Sequence, residues 1–173
     1  MMVLKNENNY QSSFEIKELH FTVVETESGI REIIINSKSN TNLSEIHSVK
    51  PEDPRLHNIY TQLQEYFNRK RKEFDLPLKI EGTNFQKRVW DELLKIPYGE
   101  TISYKELAIR LGDEKVIRAA ASANGSNPIP IVIPCHRVIG ADGTMVGYGG
   151  GIEVKKKLLT LEGSRSMELF SIE

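Results

Sequence analysis

One cysteine, Cys135, stands in 173 residues. An internal disulfide and a cysteine-built zinc cluster are both excluded, so this chain has to be held by a packed core. Its length allows one domain or two small ones. With 39% apolar and 27% charged residues it has the balance of an ordinary soluble protein. No run approaches the roughly 20 apolar residues of a membrane span. The stretch from Met1 to Ser13 is polar and Asn-rich, without the apolar heart of a secretion signal. A cytoplasmic setting, or a nuclear one in a eukaryote, is therefore expected, with no membrane partner.

Along the first half, Phe14, Ile16, Leu19, Phe21 and Val23 recur at near period two. A turn signal at Glu27-Ser28-Gly29 separates them from the apolar run Ile30–Ile35. Two antiparallel strands are expected, with residues 36–53, rich in Ser, Asn, Thr and Pro, as a loop. From Pro54, Leu56, Ile59, Tyr60, Leu63 and Phe67 keep helical spacing up to the basic run Arg69–Lys72, whose charge would suit a helix C-terminus. A strand or linker over 75–80 leads to a domain boundary near Glu81-Gly82. The fold class expected is α+β: a small antiparallel-sheet domain over 1–81 and a mostly helical domain over 82–173.

The second half opens on Thr83 and Gln86 at capping-box spacing, ahead of Phe85, Val89, Trp90 and Leu93. Ser103 and Glu106 repeat that spacing ahead of Leu107, Ala108 and Leu111. After Gly112 a further helix is expected from about Lys115 to Asn124, closed by Gly125 in the left-handed capping position. Helix, short glycine turn and helix form a helix-turn-helix pattern. The second of these helices reads Arg118-Ala-Ala-Ala-Ser-Ala-Asn124. So little side-chain bulk allows close approach of the backbone to another surface, either inside the protein or outside it.

Charge is uneven although the net is −1. Residues 1–81 hold 11 Lys/Arg against 13 Asp/Glu, while residues 115–160 hold 6 against 2. The basic excess surrounds Ile133-Pro-Cys-His-Arg-Val138, where the lone cysteine has histidine as its neighbour. A thiolate rather than a thiol attacks, and an adjacent base is the usual device for making one. A buried, inert cysteine is the alternative, since neighbours on an extended segment point to opposite faces. The chain continues through a turn at Gly140–Gly143 and a flexible loop, Gly147-Tyr148-Gly-Gly-Gly151, with no P-loop pattern. A last helix is expected from about Ile152 to Glu162, ending at Gly163.

From Gly82 to Gly163 the chain resembles the O6-alkylguanine-DNA alkyltransferase family of direct-reversal repair proteins. The resemblance rests on Phe85-Gln86 with Val89-Trp90, Ile96-Pro-Tyr-Gly-Glu-Thr101, Ser103-Tyr104, Arg118-Ala119, Asn127-Pro128, Pro134–Val138, Gly147-Tyr148, and Lys155 with Leu158-Leu159 and Glu162. It implies irreversible transfer of an alkyl group from guanine O6, and from thymine O4, in double-stranded DNA to Cys135, by a monomer without cofactor or metal. It also implies roles: Cys135 as nucleophile, His136 as a base linked to it through a water, Glu162 to orient the imidazole, Tyr104 as proton donor to guanine, and Asn127 as a brace. Pro130, Val138, Tyr148 and Gly149 would wall the pocket. Arg118, Ala119, Ala120, Lys105 and Ser103 would meet DNA, with Arg118 filling the gap left by a flipped base and the small-residue helix in the minor groove. The N-terminal domain would have a ribonuclease-H-like layout.

The sequence departs from some relatives at Lys105, where they carry glutamine, and at Gly149, where they carry serine. Three rival readings bear different signatures. A non-catalytic module that recognises alkylated bases would lack the cysteine. A helix-turn-helix transcription factor would want a basic balance and a dimerisation segment. A Cys-His hydrolase would turn over.

Overall fold

The computed structural model describes residues 8–37 and 46–164. The chain divides into two compact units, residues 1–80 and 81–173. No helix of the described residues is long and apolar enough to cross a membrane.

The first unit is a four-stranded sheet with one helix on it. Strands β1 (Asn9–Ile16), β2 (Leu19–Thr26), β3 (Gly29–Ile35) and β4 (Ile46–Ser48) lie in the order β3-β2-β1-β4. The pairs β1·β2 and β2·β3 are antiparallel, and β4 runs parallel to β1. The expected single strand over 14–23 is thus a hairpin, and it begins at Asn9, inside the polar, Asn-rich stretch. Lys17 and Glu18 both take left-handed φ values, 50° and 65°. Such a two-residue turn matches the twist of the flanking strands, so alternation continues across it without a Gly or Asn signal. Part of the expected loop also pairs, as β4. Turn-forming residues do not prevent pairing where an edge is free.

Gly29 needs to be glycine: its φ is +135°, and a Cβ there would collide with the Pro77 carbonyl. That carbonyl accepts from Ile30 N at 2.8 Å, and Lys79 N donates to Ile30 O at 2.8 Å, which adds the 75–80 segment to the β3 edge. Helix α1 (His57–Phe67) buries Ile59, Leu63, Tyr66 and Phe67 with the preceding Leu56, the spacing of one helix face. Phe14 packs edge-on to Tyr60 at 4.9 Å, and Phe21 meets Phe67 at 5.8 Å. The helix ends before Arg69, whose φ is 58°. Lys70 N reaches Glu65 O and Arg69 N reaches Tyr66 O, the paired bonds of a Schellman closure. The basic run therefore lies beyond the helix rather than in its last turn.

The second unit contains α2 (Asn84–Leu93), β5 (Ile102–Ser103), α3 (Tyr104–Arg110), α4 (Ile117–Gly125), β6 (Val138–Ile139) and α5 (Ile152–Glu162). The capping box at Thr83 and Gln86 is complete in both directions. At Ser103 only half of one forms: its hydroxyl accepts from Glu106 N at 3.0 Å, while the Glu106 carboxylate goes to Arg110 at 2.6 Å. Trp90, 2% exposed, donates from Nε1 to Ala123 O at 2.9 Å and so fixes α2 against α4. Gly125 remains within α4 and has no left-handed φ, so the expected left-handed cap is absent there. Gly163, with φ 67°, does close α5 in that way. A short parallel pair, Ile102 with Val138, joins the start of the helix-turn-helix to the segment that carries Cys135.

Candidate active site

Residues 127–139 travel through the core of the second unit, and every residue from Ile131 to Ile139 is buried. No regular strand forms between Asn127 and Pro134. The chain turns and then enters a single 3-10 turn, Cys135–Arg137. Ile131 sits at φ 75°, a strained value for a β-branched residue, and needs its surroundings to hold it. Asn127 supplies the restraint. Its Oδ1 accepts from Ile129 N at 2.9 Å and its Nδ2 donates to Ile133 O at 2.7 Å, spanning the strained residue.

Cys135 is 5% exposed and His136 has no exposure. His136 Nε2 lies 2.9 Å from Glu162 Oε1. An ionised carboxylate only accepts, so Nε2 carries the proton and Nδ1 is the basic nitrogen. Nδ1 is buried with no hydrogen-bond partner in the protein. Burial holds the imidazole below its ordinary range, against the opposing pull of Glu162. Burial likewise pushes the Cys135 thiol up to about 11, with Asn127 and Lys155 working against it. At rest the pair is thus a neutral thiol and a neutral imidazole. Adjacency alone does not make a thiolate here; the thiol proton has to move to a base.

Glu162 receives more than the imidazole. Arg137 Nε and Nη2 each lie 2.9 Å from its two oxygens, and Gly99 N donates to Oε2 at 3.1 Å. Burial raises this carboxyl, but His136 and Arg137 outweigh burial and leave it well below the usual range. Arg137 also donates from Nη1 to Ile96 O at 2.6 Å. Lys155 is fully buried, with Nζ at 2.6 Å from Val138 O and 3.1 Å from Val146 O. Desolvation brings it down to about 8, and charge on Cys135 would raise it.

Of the other expected site residues, Tyr104 and Tyr148 lie within electrostatic reach of Cys135. Tyr104 is half-buried at the start of α3. Burial raises its hydroxyl, a charge on Cys135 adds to that, and Asn124 opposes both. Tyr148 buries its hydroxyl without a partner, and its ionisation is suppressed first by burial, then by Cys135 and Glu162. Val138 is buried, Pro130 is half-buried and Gly149 is exposed.

On the helix-turn-helix, Arg118 and Ala119 are exposed. Ala120 has no exposure, so the expectation that it meets DNA directly is corrected: its small size lets α4 pack inward, together with Ala123 and Asn124. Lys105 is exposed and pairs with Glu114 at 2.8 Å, while Ser103 is spent on the cap of α3.

Three residues of the site escaped the residue-level reading. Asn124, buried, donates from Nδ2 to Cys135 O at 3.4 Å. Arg137 and Lys155 entered it as charges and as motif positions, with no role assigned. Signals existed: Arg137 follows His136 in the middle of an apolar run, and Lys155 shares a helix face with Leu158, Leu159 and Glu162.

Residues 14–80 match the family described as the ribonuclease-like domain of 6-O-methylguanine DNA methyltransferase, and residues 84–164 its DNA binding domain. The crystal structure of Mycobacterium tuberculosis O6-methylguanine methyltransferase superposes with a TM-score of 0.82 at 37% identity, covering 94% of this chain and 99% of that one. This chain belongs to the O6-methylguanine-DNA methyltransferase family. A second structure, of the M. tuberculosis protein in complex with DNA, gives 0.81 and 38% over 93% of this chain and 99% of that one. Methylated-DNA–protein-cysteine methyltransferases of M. tuberculosis and Methanosarcina barkeri are 56% and 54% identical over 105 and 101 residues, or 61% and 58% of this chain. Those aligned segments span 64% of each relative's length.

Proposed function

We propose that this protein repairs DNA by direct reversal, moving the alkyl group of O6-alkylguanine, and of O4-alkylthymine, onto its own Cys135. The observation that carries this reading is a lone cysteine held beside an imidazole whose far nitrogen is tied to a buried carboxylate, within a unit that bears a helix-turn-helix. Sγ loses its proton to His136 Nδ1 through an intervening water. It then attacks the alkyl carbon as the carbon–oxygen bond breaks and the electron pair leaves with guanine O6. Tyr104 offers a proton to the departing ring, which its suppressed ionisation keeps in place at neutral pH. No leaving group exists on the resulting thioether, so each molecule acts once.

A guanine stacked in duplex DNA is out of reach of a buried sulfur, so the nucleotide is rotated out at a cost of roughly a few kcal/mol. Arg118, exposed at the start of α4, fills the gap. The exposed face of α4, with Ala119, Ser122 and Gly125, is slim enough for the minor groove. Pro130, Val138, Tyr148 and Gly149 form the pocket, the protein acts as a monomer, and cytoplasm is its compartment. The domain boundary lies near Glu81-Gly82.

Intact mass after incubation with a duplex containing one O6-methylguanine tests the reading. A gain of about 14 Da by atomic mass, one per chain and absent in Cys135→Ala, is expected of stoichiometric transfer. Tight lesion binding without a mass gain would instead make this a recognition module.

A further inference from the structure

Among the described residues Arg137 is the buried cation in closest contact with the catalytic carboxylate, and the transfer chemistry above assigns it no step. Its guanidinium lies flat against Glu162, with Nε to one oxygen and Nη2 to the other, both at 2.9 Å. The fork leaves that carboxylate room for two further bonds, and His136 Nε2 and Gly99 N take them. Anchoring at Ile96 O and a place 5.8 Å from the Tyr98 ring keep the fork from turning away.

This arrangement has an electrostatic meaning. A buried carboxylate bonded to an imidazole alone would favour the imidazolium, because the ion pair it forms needs no other partner. Here the charge of Glu162 is already matched by Arg137, so a proton on His136 would add an unmatched positive charge to a buried cluster. The groups that face the imidazole carry both signs. From α5 come Glu162 and Lys155 and from its own segment Arg137 and Cys135, while Tyr148 of the glycine-rich loop, whose hydroxyl is neutral, acts on Cys135 and Glu162. Burial, Arg137 and Lys155 disfavour the imidazolium, and only Glu162 favours it.

We propose that Arg137, by engaging both oxygens of Glu162, keeps His136 neutral in the resting protein and thereby sets the pH below which alkyl transfer stops. It is a positioning residue, since it touches Glu162 and not the reacting sulfur. The step it protects is a proton transfer: the Sγ–H bond of Cys135 breaks with its electron pair left on sulfur, and the proton arrives on His136 Nδ1. An imidazole that is already protonated cannot accept it. The inference rests on the transferase reading for its consequence in repair but not for its test.

Two readouts separate this role from a merely structural one. The first is the NMR titration of the His136 imidazole in the free protein. The second is the pH dependence of Cys135 alkylation by iodoacetamide, which reports one thiol because the chain has one cysteine. In Arg137→Gln the imidazole midpoint should rise by about one to three pH units, the usual effect of a nearby charge, and the acid limb of alkylation should follow it. Arg137→Lys keeps the charge and loses the fork, so its midpoint should lie between those of the parent and Arg137→Gln.

Arg137→Gln that folds with an unchanged midpoint would overturn the proposal. Where Arg137→Gln does not fold, Arg137→Lys decides: an upward shift supports the proposal, and a midpoint equal to the parent's with only a lower melting temperature refutes it. Failure of the parent protein to take a methyl group from O6-methylguanine DNA would refute the transferase reading instead, because the imidazole titration uses no DNA.

Discussion

Methylation of Cys135 is expected to destabilise the unit that carries it. The side chain is 5% exposed, and Ile129, Ile133 and Val138 around its segment have no exposure at all. An extra methyl group in so filled a space costs about 1–3 kcal/mol in overpacking, while its own burial returns about 0.8 kcal/mol. A net loss near 1 kcal/mol follows, which lowers the midpoint of a unit the size of 81–173 by about 4–8 °C. Trp90 is the only tryptophan, lies in this unit and is packed against Ala123 O, so its fluorescence follows this unit's melting. The comparison is between free and methylated protein, with Cys135→Ala carried through the same treatment. An equal or higher midpoint for the methylated protein would refute the reasoning, because it would mean that the segment has room for the methyl group.

Other outcomes follow from the same geometry. Glu162→Gln leaves the Arg137 charge buried without its counter-ion, so unfolding should become easier by about 3–5 kcal/mol, measured by urea denaturation. Methyl transfer by that variant should slow by about 10²–10⁴ if imidazole basicity depends on the carboxylate, read by quenched single-turnover assays. Glu25 in β2 is raised by burial to about 7, so the native state holds that proton more tightly than the unfolded chain. Its stabilising contribution is complete below the ordinary carboxylate range and is lost as pH rises through about 7. Glu25→Gln should therefore gain on the parent by about 1–2 kcal/mol at pH 8, after allowance for partial exposure, and gain nothing at pH 4. Amide exchange in β2 would show it, and a pH-independent difference would refute it. Finally, Ala120→Leu should lower the melting temperature, whereas Ala119→Leu should leave it unchanged and weaken duplex binding, seen by fluorescence anisotropy.

Much of the fold was legible because local rules were strong where they applied. Helical spacing over Leu56–Phe67, the capping box at Thr83 and the closing Gly163 are each satisfied within a few residues of chain. The misreadings arose where a partner distant in sequence decides. Lys17-Glu18 turns left-handed because β1 and β2 pair, and β4 exists because β1 offers a free edge. Glu106, at capping-box distance, prefers a guanidinium one turn away.

The sequence by itself determined the chemistry available to this protein. A single thiol beside an imidazole, a slim helix with one arginine at its start, and no cysteine cluster were all present in the order of residues. Tertiary structure alone decided the protonation states. Charge in a buried site depends on what the fold brings within about 3 Å and on how much water it removes. Arg137 and Glu162 stand 25 positions apart in the chain and Val138 and Lys155 stand 17 apart, and only folding makes them neighbours. The same burial lifts the thiol and depresses the imidazole, which decides between the reactive and the inert cysteine that adjacency in sequence left open: the pair rests uncharged and needs a proton transfer to react.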